Sequence, residues 1–140
     1  MEKFTSKVHS KMVWPAKLET QNGLTIDFSK PPEYRGMNGT MTPEDAFVGA
    51  IIMCLACTFD SYASKMRLKV SGFESEGTGT VDRKDGVQMF TEMSVHVRIT
   101  IPPETSKESV QKAIDLARQN CLVAASLRTP VGYDTEIVVG

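Results

Sequence analysis

The sequence predicts an α+β fold, in which antiparallel sheets wrap around a long buried central helix and a second, amphipathic helix. Strand-like alternation flanks a long segment that has no polar face, and an amphipathic segment precedes the last strand. The predicted order is therefore strands, helix, strands, helix, strand. Strands gathered around two helices form the layers of an α+β domain. A chain of 140 residues has the size of one domain, so we expect residues 1–140 to form a single domain.

The first part of the chain is predicted to form strands. Residues 3–14 alternate between apolar and polar positions with the period of two that is typical of a half-buried strand. A Gln-Asn-Gly turn at 21–23 joins residues 15–20 to a strand over 24–28. Residues 29–41 are rich in proline and glycine, which predicts a loop.

A long helix is predicted from Thr42 to about Met66. Thr42 is a suitable N-cap, and Pro43 suits the first helical position. The segment Ala46–Phe59 is apolar nearly all round, so a single sheet cannot cover it. It is also shorter than the roughly 20 apolar residues that span a bilayer. We therefore expect a core helix, no membrane role, and a homodimer in which two copies of this helix lie at the centre.

The second half of the chain predicts a hairpin, a helix and a closing strand. Residues 68–82 and 87–101 flank a turn at Asp85-Gly86, and a helix is expected to start near Thr105 or Ser106. The last strand is predicted over Tyr133–Val139. The apolar stripe of this second helix consists of Val110, Ala113, Ile114, Ala117 and Cys121.

Charge and cysteine content exclude several functional classes. The chain has 16 basic and 17 acidic residues and no densely basic stretch, so nucleic acid is not an expected partner. The N-terminus has no continuous apolar run of the kind found in a signal peptide, so we expect a cytoplasmic protein. Three cysteines are too few, and odd in number, for a secreted disulfide scaffold. In the cytoplasm they indicate either cysteine chemistry or simple burial.

The positions of the cysteines allow more than one interpretation. Cys54 lies in the middle of the apolar helix, Cys57 follows one turn later, and Cys121 lies on the apolar stripe of the second helix. A pair Cys54–Cys121 or Cys57–Cys121 is therefore geometrically possible. All three could equally be small core residues, because free cysteine is among the most buried residue types.

Two other cysteine sites are less well supported by the sequence. A thioredoxin-like CxxC motif places its first cysteine at a helix N-terminus, whereas Cys54 lies twelve residues past Thr42. A zinc site would combine the three cysteines with His9 or His96, but structural zinc usually takes paired cysteines from a tight turn. We therefore expect no metal site.

Two motifs give the chain a resemblance to the OsmC/Ohr family of hydroperoxide reductases. Residues 42–63, TPEDAFVGAIIMCLACTFDSYA, resemble the family segment in which a Pro-Glu pair opens a helix and a cysteine follows the glutamate by ten residues. Residues 121–127, CLVAASL, are similar to its C-P-V-S-x-x-L motif, with Leu122 in place of the usual proline. The resemblance implies an intertwined homodimer with two active sites at the subunit interface.

The resemblance also implies a reaction. Cys54 would be the peroxidatic thiolate that reduces an organic hydroperoxide, and Cys121 would be the resolving thiol that forms a disulfide with the resulting sulfenic acid. An external dithiol, often a lipoyl group in this family, would then reduce the disulfide. No bound cofactor, metal or flavin would be required.

The groups that would support the thiolate are less clearly defined. Ten helical residues span about 15 Å, so Glu44 cannot touch Cys54 of its own chain, and we expect it to act from the partner subunit unless it only complements the helix dipole. The family's arginine from the N-terminal strand region has no counterpart, because residues 1–34 contain no arginine. Lys17 or Arg35 could take its place, although lysine lacks the bidentate fork. Cys57 is expected to serve packing.

The sequence leaves three functions open. The first is a dithiol-dependent organic hydroperoxide reductase, which the presence of both Cys54 and Cys121 favours. The second is a non-enzymatic dimer of the same fold that binds a small apolar ligand, which the missing N-terminal arginine favours. The third is a redox sensor that uses the same pair of cysteines.

Overall fold

A computed structural model describes residues 1–140 and has the α+β fold that the sequence predicts. It contains six strands, three α-helices and one 3₁₀ turn. In chain order these are β1 (Ser6–His9), β2 (Ala16–Thr20), β3 (Thr25–Phe28), the 3₁₀ turn (Pro32–Tyr34), α1 (Pro43–Lys65), β4 (Gly72–Lys84), β5 (Val87–Ile101), α2 (Lys107–Gln119), α3 (Leu122–Ala125) and β6 (Val131–Val139). The chain divides into two compact units, residues 1–47 and 48–140.

The first unit contains an antiparallel sheet in the order β1-β2-β3. The prediction of one strand over residues 3–14 was wrong in length, because β1 has only four residues and all of them are exposed. The chain leaves the sheet after His9, where the Ser10 hydroxyl accepts a hydrogen bond from the Met12 amide (2.9 Å) and Met12 adopts a left-handed backbone with φ 61°. A local side chain to backbone bond of this kind competes with the strand ladder.

The loop that follows β3 is held by one buried serine. The Ser29 hydroxyl donates to the carbonyl of Lys30 and accepts from the amide of Met37, both at 2.8 Å. The loop ends at a reciprocal cap, because the Asp45 amide donates to the Thr42 hydroxyl and the Thr42 amide donates to the Asp45 carboxylate, both at 3.0 Å. The predicted N-cap at Thr42 is confirmed, and this capping box fixes where α1 begins.

In the second unit, one stripe of α1 is buried by its own chain. The stripe consists of Ile51, Leu55, Phe59 and Ala63. The opposite side remains exposed and is partly apolar, since Met53 is 62% exposed and Cys57 is also exposed. By length and composition alone, α1 is long and apolar enough to span a membrane, and 22% of its most apolar segment is buried within the chain. The expected enclosure of this helix on several sides is therefore not provided by the chain itself.

The second sheet has the order β4-β5-β6 and supplies most of the core. The predicted hairpin is confirmed, with Asp85 (φ 51°) and Gly86 (φ 78°) forming its turn. The prediction of purely antiparallel sheets was wrong at one pair, because β6 runs parallel to β5. The two helices between these strands form the crossover that a parallel pair requires. The buried face of β5 carries Met93, Val95, Val97, Ile99 and Ile101.

The amphipathic helix α2 is correctly predicted at its start and in its buried face, but it is shorter than expected. The Ser106 hydroxyl caps it by accepting from the Ser109 amide (3.2 Å). It ends at Gln119, where the Asn120 side chain donates to the carbonyl of Leu116 (2.8 Å) and occupies one of the last free carbonyls. The prediction that Cys121 lies on α2 was therefore wrong. Cys121 is the N-cap of α3, a short helix that the sequence did not predict.

Candidate active site

The thiols of Cys54 and Cys121 lie close enough for each to shift the pKa of the other, although the residues are 67 positions apart in sequence. Cys54 projects from the middle of α1 and is half-buried, whereas Cys121, between α2 and α3, is only 1% exposed. Both cysteines are free in the structure. Of the two pairs that the sequence allowed, the structure brings together Cys54 and Cys121.

The surroundings of Cys54 favour its thiolate. Burial is the largest single effect and would raise the pKa, but hydrogen bonds from the Val123 amide, the Cys121 thiol, the Thr58 hydroxyl and the Leu122 amide together outweigh it. The pKa of Cys54 is consequently below the ordinary value for a cysteine. The Thr58 hydroxyl donates to the Cys54 carbonyl at 2.8 Å, and its Oγ1 lies 3.9 Å from the Cys54 sulfur.

Amide support for Cys54 was not expected from the sequence, which places this cysteine far from the start of its own helix. The support comes instead from the first residues of α3, which follow Cys121 directly. The segment that carries the second cysteine therefore also supplies backbone donors to the first. Sequence spacing could not reveal this, because α3 is short and the contact is made in tertiary structure.

The environment of Cys121 has the opposite effect. Burial raises the pKa of its thiol, and the hydrogen bond and negative charge of Cys54 raise it further, while the amides of Ala124 and Val123 oppose the shift in part. The two cysteines thus differ in the direction of their pKa shifts. Cys54 is therefore the cysteine of the pair that ionises more readily.

Two further residues, neither of them predicted, lie close to the cysteines. Tyr133 of β6 has a raised pKa, caused first by burial and then by the charges of Cys121 and Cys54, with Arg118 acting against them. The Arg118 guanidinium of α2 lies over the Tyr133 ring, 4.7 Å from its centroid. Arg118 precedes Cys121 by three residues, which is the signal that could have identified it.

The other predicted site residues lie in the first unit. Glu44, in the first turn of α1, has a buried Oε1 atom with no hydrogen-bond partner within the chain. The ammonium group of Lys17 pairs with Asp27 across the β2–β3 ladder at 2.6 Å. Arg35 follows the 3₁₀ turn, is exposed, and has a left-handed backbone with φ 66°.

The remaining cysteine and the two histidines have other surroundings. Cys57 is exposed on the outer side of α1, and its carbonyl accepts from the Ser61 hydroxyl (3.2 Å). His9 contacts Glu19 at 3.1 Å, and His96 contacts Asp134 at 2.8 Å. No group of three or more His, Cys, Asp or Glu side chains is placed to bind a metal ion.

Replacing Leu122 with proline is expected to raise the pKa of Cys54. The change deletes one amide that donates to the sulfur, while Leu122 is 69% exposed and occupies the first position of α3, which accepts proline. The measurement is the pH dependence of iodoacetamide alkylation at Cys54, whose midpoint should move to higher pH. Leu122→Ala keeps the amide and serves as the control. A midpoint unchanged by proline would show that this amide does not support the thiolate.

Comparison with known proteins places this chain in a family. The sequence profile described as OsmC-like protein matches residues 36–136. An OsmC-like protein of unknown function from Vibrio cholerae has a similar structure, with a TM-score of 0.89, 22% identity, and coverage of 96% of this chain and 99% of that chain. An OsmC-like protein from Mycoplasma pneumoniae gives a TM-score of 0.82 at 15% identity, covering 98% of each chain.

An organic hydroperoxide resistance protein from Elizabethkingia anophelis is also similar, with a TM-score of 0.75, 16% identity, and coverage of 100% of this chain and 98% of that chain. Comparison with curated protein sequences found no significant match. Because these identities are low, the structural similarities show only the fold. The sequence profile covers most of the chain and shows the family. The chain belongs to the OsmC-like protein family.

Proposed function

We propose that the protein is a thiol peroxidase that reduces organic hydroperoxides. The observation that carries the proposal is the neighbouring pair of thiols, Cys54 and Cys121, in which the pKa of the first is lowered and that of the second is raised. A peroxidatic cysteine must be ionised, because the thiolate is the nucleophile. A resolving cysteine must lie beside it, so that a sulfenic acid is converted to a disulfide before further oxidation.

The reaction follows in two steps. The Cys54 thiolate attacks the O–O bond of a hydroperoxide, forms a sulfenic acid, and releases an alkoxide that takes up a proton to become an alcohol. The Cys121 sulfur then attacks the Cys54 sulfur, and the hydroxyl group leaves as water with the proton of the Cys121 thiol. The product is a Cys54–Cys121 disulfide. An external dithiol of the lipoyl type returns both cysteines to the thiol form.

The proposed active enzyme is a cytoplasmic homodimer. Its support is the partly apolar outer side of α1, where Met53 and Cys57 are exposed, and the small share of this helix that its own chain buries. A second copy packed on this side would remove that apolar surface from water. Apolar residues that are exposed together on one side of an element are typical of an interface.

Glu44 is proposed to act at the site of the partner subunit. Its support is the buried Oε1 atom that lacks a hydrogen-bond partner within the chain, since a buried carboxylate oxygen normally has one. A carboxylate beside a thiolate would by itself disfavour ionisation, so a cation must accompany it. Arg35 is the better candidate for this cation, because the ammonium group of Lys17 is paired with Asp27.

The test is turnover of cumene hydroperoxide by the reduced protein with dihydrolipoamide as the electron donor. We expect catalytic consumption of peroxide, and faster turnover than with hydrogen peroxide. Formation of the disulfide without turnover by any of several dithiols would instead favour a redox sensor. Thiols that remain unreactive would leave a protein of this fold that binds an apolar ligand.

A further inference from the structure

A pocket of about 250 Å³ opens beside Cys121 in the second unit. Its lining includes Cys121, Arg118, Tyr133, Ala124 and Thr129, but not Cys54. We propose that the electron donor enters this pocket and attacks the sulfur of Cys121, and that Arg118 favours a thiol donor that carries a negative charge. The inference rests on the proposed function only for the formation of the Cys54–Cys121 disulfide.

The two sulfurs are reached from different places. Cys121 is only 1% exposed, and it contributes to the wall of this pocket, which therefore gives a donor a route toward its sulfur. Cys54 is half-buried and contributes nothing to the wall. In thiol–disulfide exchange the position of the attacking thiol selects the sulfur that it joins. A donor held in this pocket therefore joins Cys121 and displaces Cys54.

The chemistry of the leaving sulfur agrees with this direction of attack. The sulfur released should be the one with the more stable thiolate, because exchange is faster when the leaving thiol has the lower pKa. Amides of Val123 and Leu122 donate to the sulfur of Cys54, and its pKa is lowered, whereas that of Cys121 is raised. Attack at Cys121 thus releases the better leaving group and regenerates the peroxidatic thiolate directly.

The wall of the pocket carries one guanidinium. Arg118 is held over the Tyr133 ring at 4.7 Å, a cation–π arrangement that fixes its position beside Cys121. Its contact with Asp115 is long, at 3.7 Å, and that carboxylate also accepts from the Gln111 amide at 3.0 Å. The guanidinium therefore retains donors for the carboxylate of an incoming anionic thiol.

The exchange is balanced as follows. The donor thiolate attacks Cys121 Sγ, the bond between Cys121 and Cys54 breaks, and the electron pair leaves on Cys54 as a thiolate. The second thiol of the donor, once deprotonated, attacks the donor sulfur of the mixed disulfide. The donor leaves as its own disulfide, and the Cys121 thiolate takes up the released proton. One donor dithiol is oxidised and one protein disulfide is reduced.

Trapping of the mixed disulfide tests which sulfur is attacked. The protein disulfide is formed with diamide rather than peroxide, so that the test does not depend on peroxidase activity. The oxidised protein is then exposed to 2-mercaptoethanesulfonate and iodoacetamide together and mapped by digestion and mass spectrometry. We expect the adduct on Cys121 and the alkyl group on Cys54. The reverse pattern, or failure of diamide to join the two cysteines, would overturn the proposal.

The role of Arg118 is tested by comparing two dithiol donors that differ in charge. The rate of reduction of the diamide-formed disulfide is compared for dihydrolipoate, which is anionic, and dihydrolipoamide, which is neutral. Arg118→Gln should lower the rate with dihydrolipoate by about 2- to 5-fold and leave that with dihydrolipoamide nearly unchanged. Arg118→Lys should retain much of the preference, and added salt should reduce it in the unmodified protein.

Lys112→Gln provides a matched control, because it removes the same charge from an exposed position of α2 outside the pocket wall. It should leave both rates unchanged. Equal effects of Arg118→Gln on the two donors, or an equal effect of Lys112→Gln, would show that Arg118 has no specific part in binding the donor.

Discussion

Cys54→Ser is expected to abolish reduction of cumene hydroperoxide, with a loss of at least about 1,000-fold. Serine keeps the size of the side chain, but its hydroxyl is not ionised near neutral pH, so the donors that lower the pKa of Cys54 no longer have a thiolate to stabilise. The measurement is peroxide consumption with an excess of dihydrolipoamide. Retention of activity by this variant would exclude Cys54 as the peroxidatic residue.

Two further serine variants separate the roles of the remaining cysteines. Cys57→Ser is the matched control, because Cys57 lies on the same helix but is exposed and outside the thiol pair. It should retain full activity. Cys121→Ser should reduce about one equivalent of peroxide and then accumulate sulfinic acid at Cys54, because no neighbouring thiol converts the sulfenic acid to a disulfide. Continued turnover by Cys121→Ser would mean that the external dithiol reduces the sulfenic acid directly.

Met53→Lys is expected to convert the proposed dimer to a monomer. Met53 is 62% exposed on the outer side of α1, and in a symmetric dimer the substitution places a lysine in the interface twice. Leaving an unpaired charge in an interface costs about 3–5 kcal/mol, which weakens association by more than about 100-fold. Sedimentation at micromolar concentration measures the change in mass.

Val87→Lys is the control for this substitution. Val87 is also an exposed apolar residue, at 58%, but it lies at the start of β5 beside the hairpin turn. It should leave the dimer intact. A monomer for the unmodified protein, or an intact dimer for Met53→Lys, would contradict the proposal that this side of α1 is covered by a second copy.

Local sequence signals predicted α1 and the hairpin well. Thr42 and Pro43 determine where α1 begins, and the capping box with Asp45 shows why. Asp85 and Gly86 adopt positive φ at the hairpin turn. At these places the determining interactions lie within a few residues of one another, so the pattern alone contains the information.

Three features depended on tertiary structure and were predicted incorrectly or not at all. The strand at residues 3–14 shortens to Ser6–His9 because Ser10 bonds the Met12 amide. The parallel pairing of β6 follows from the path of the chain through α2 and α3, which alternation of residues does not reveal. At the site, the pairing of Cys54 with Cys121 was one of two pairs left open, and the amides that support Cys54 come from α3, which had no recognisable sequence signal.

The central claim is that Cys54 and Cys121 form one redox unit, and mass spectrometry of the reduced protein after one equivalent of cumene hydroperoxide tests it most directly. We expect a rapid loss of about 2 Da, as two thiols become one disulfide, which digestion assigns to a peptide pair joining Cys54 and Cys121. Thiols that are unchanged after minutes of exposure, or a disulfide that involves Cys57, would contradict the claim.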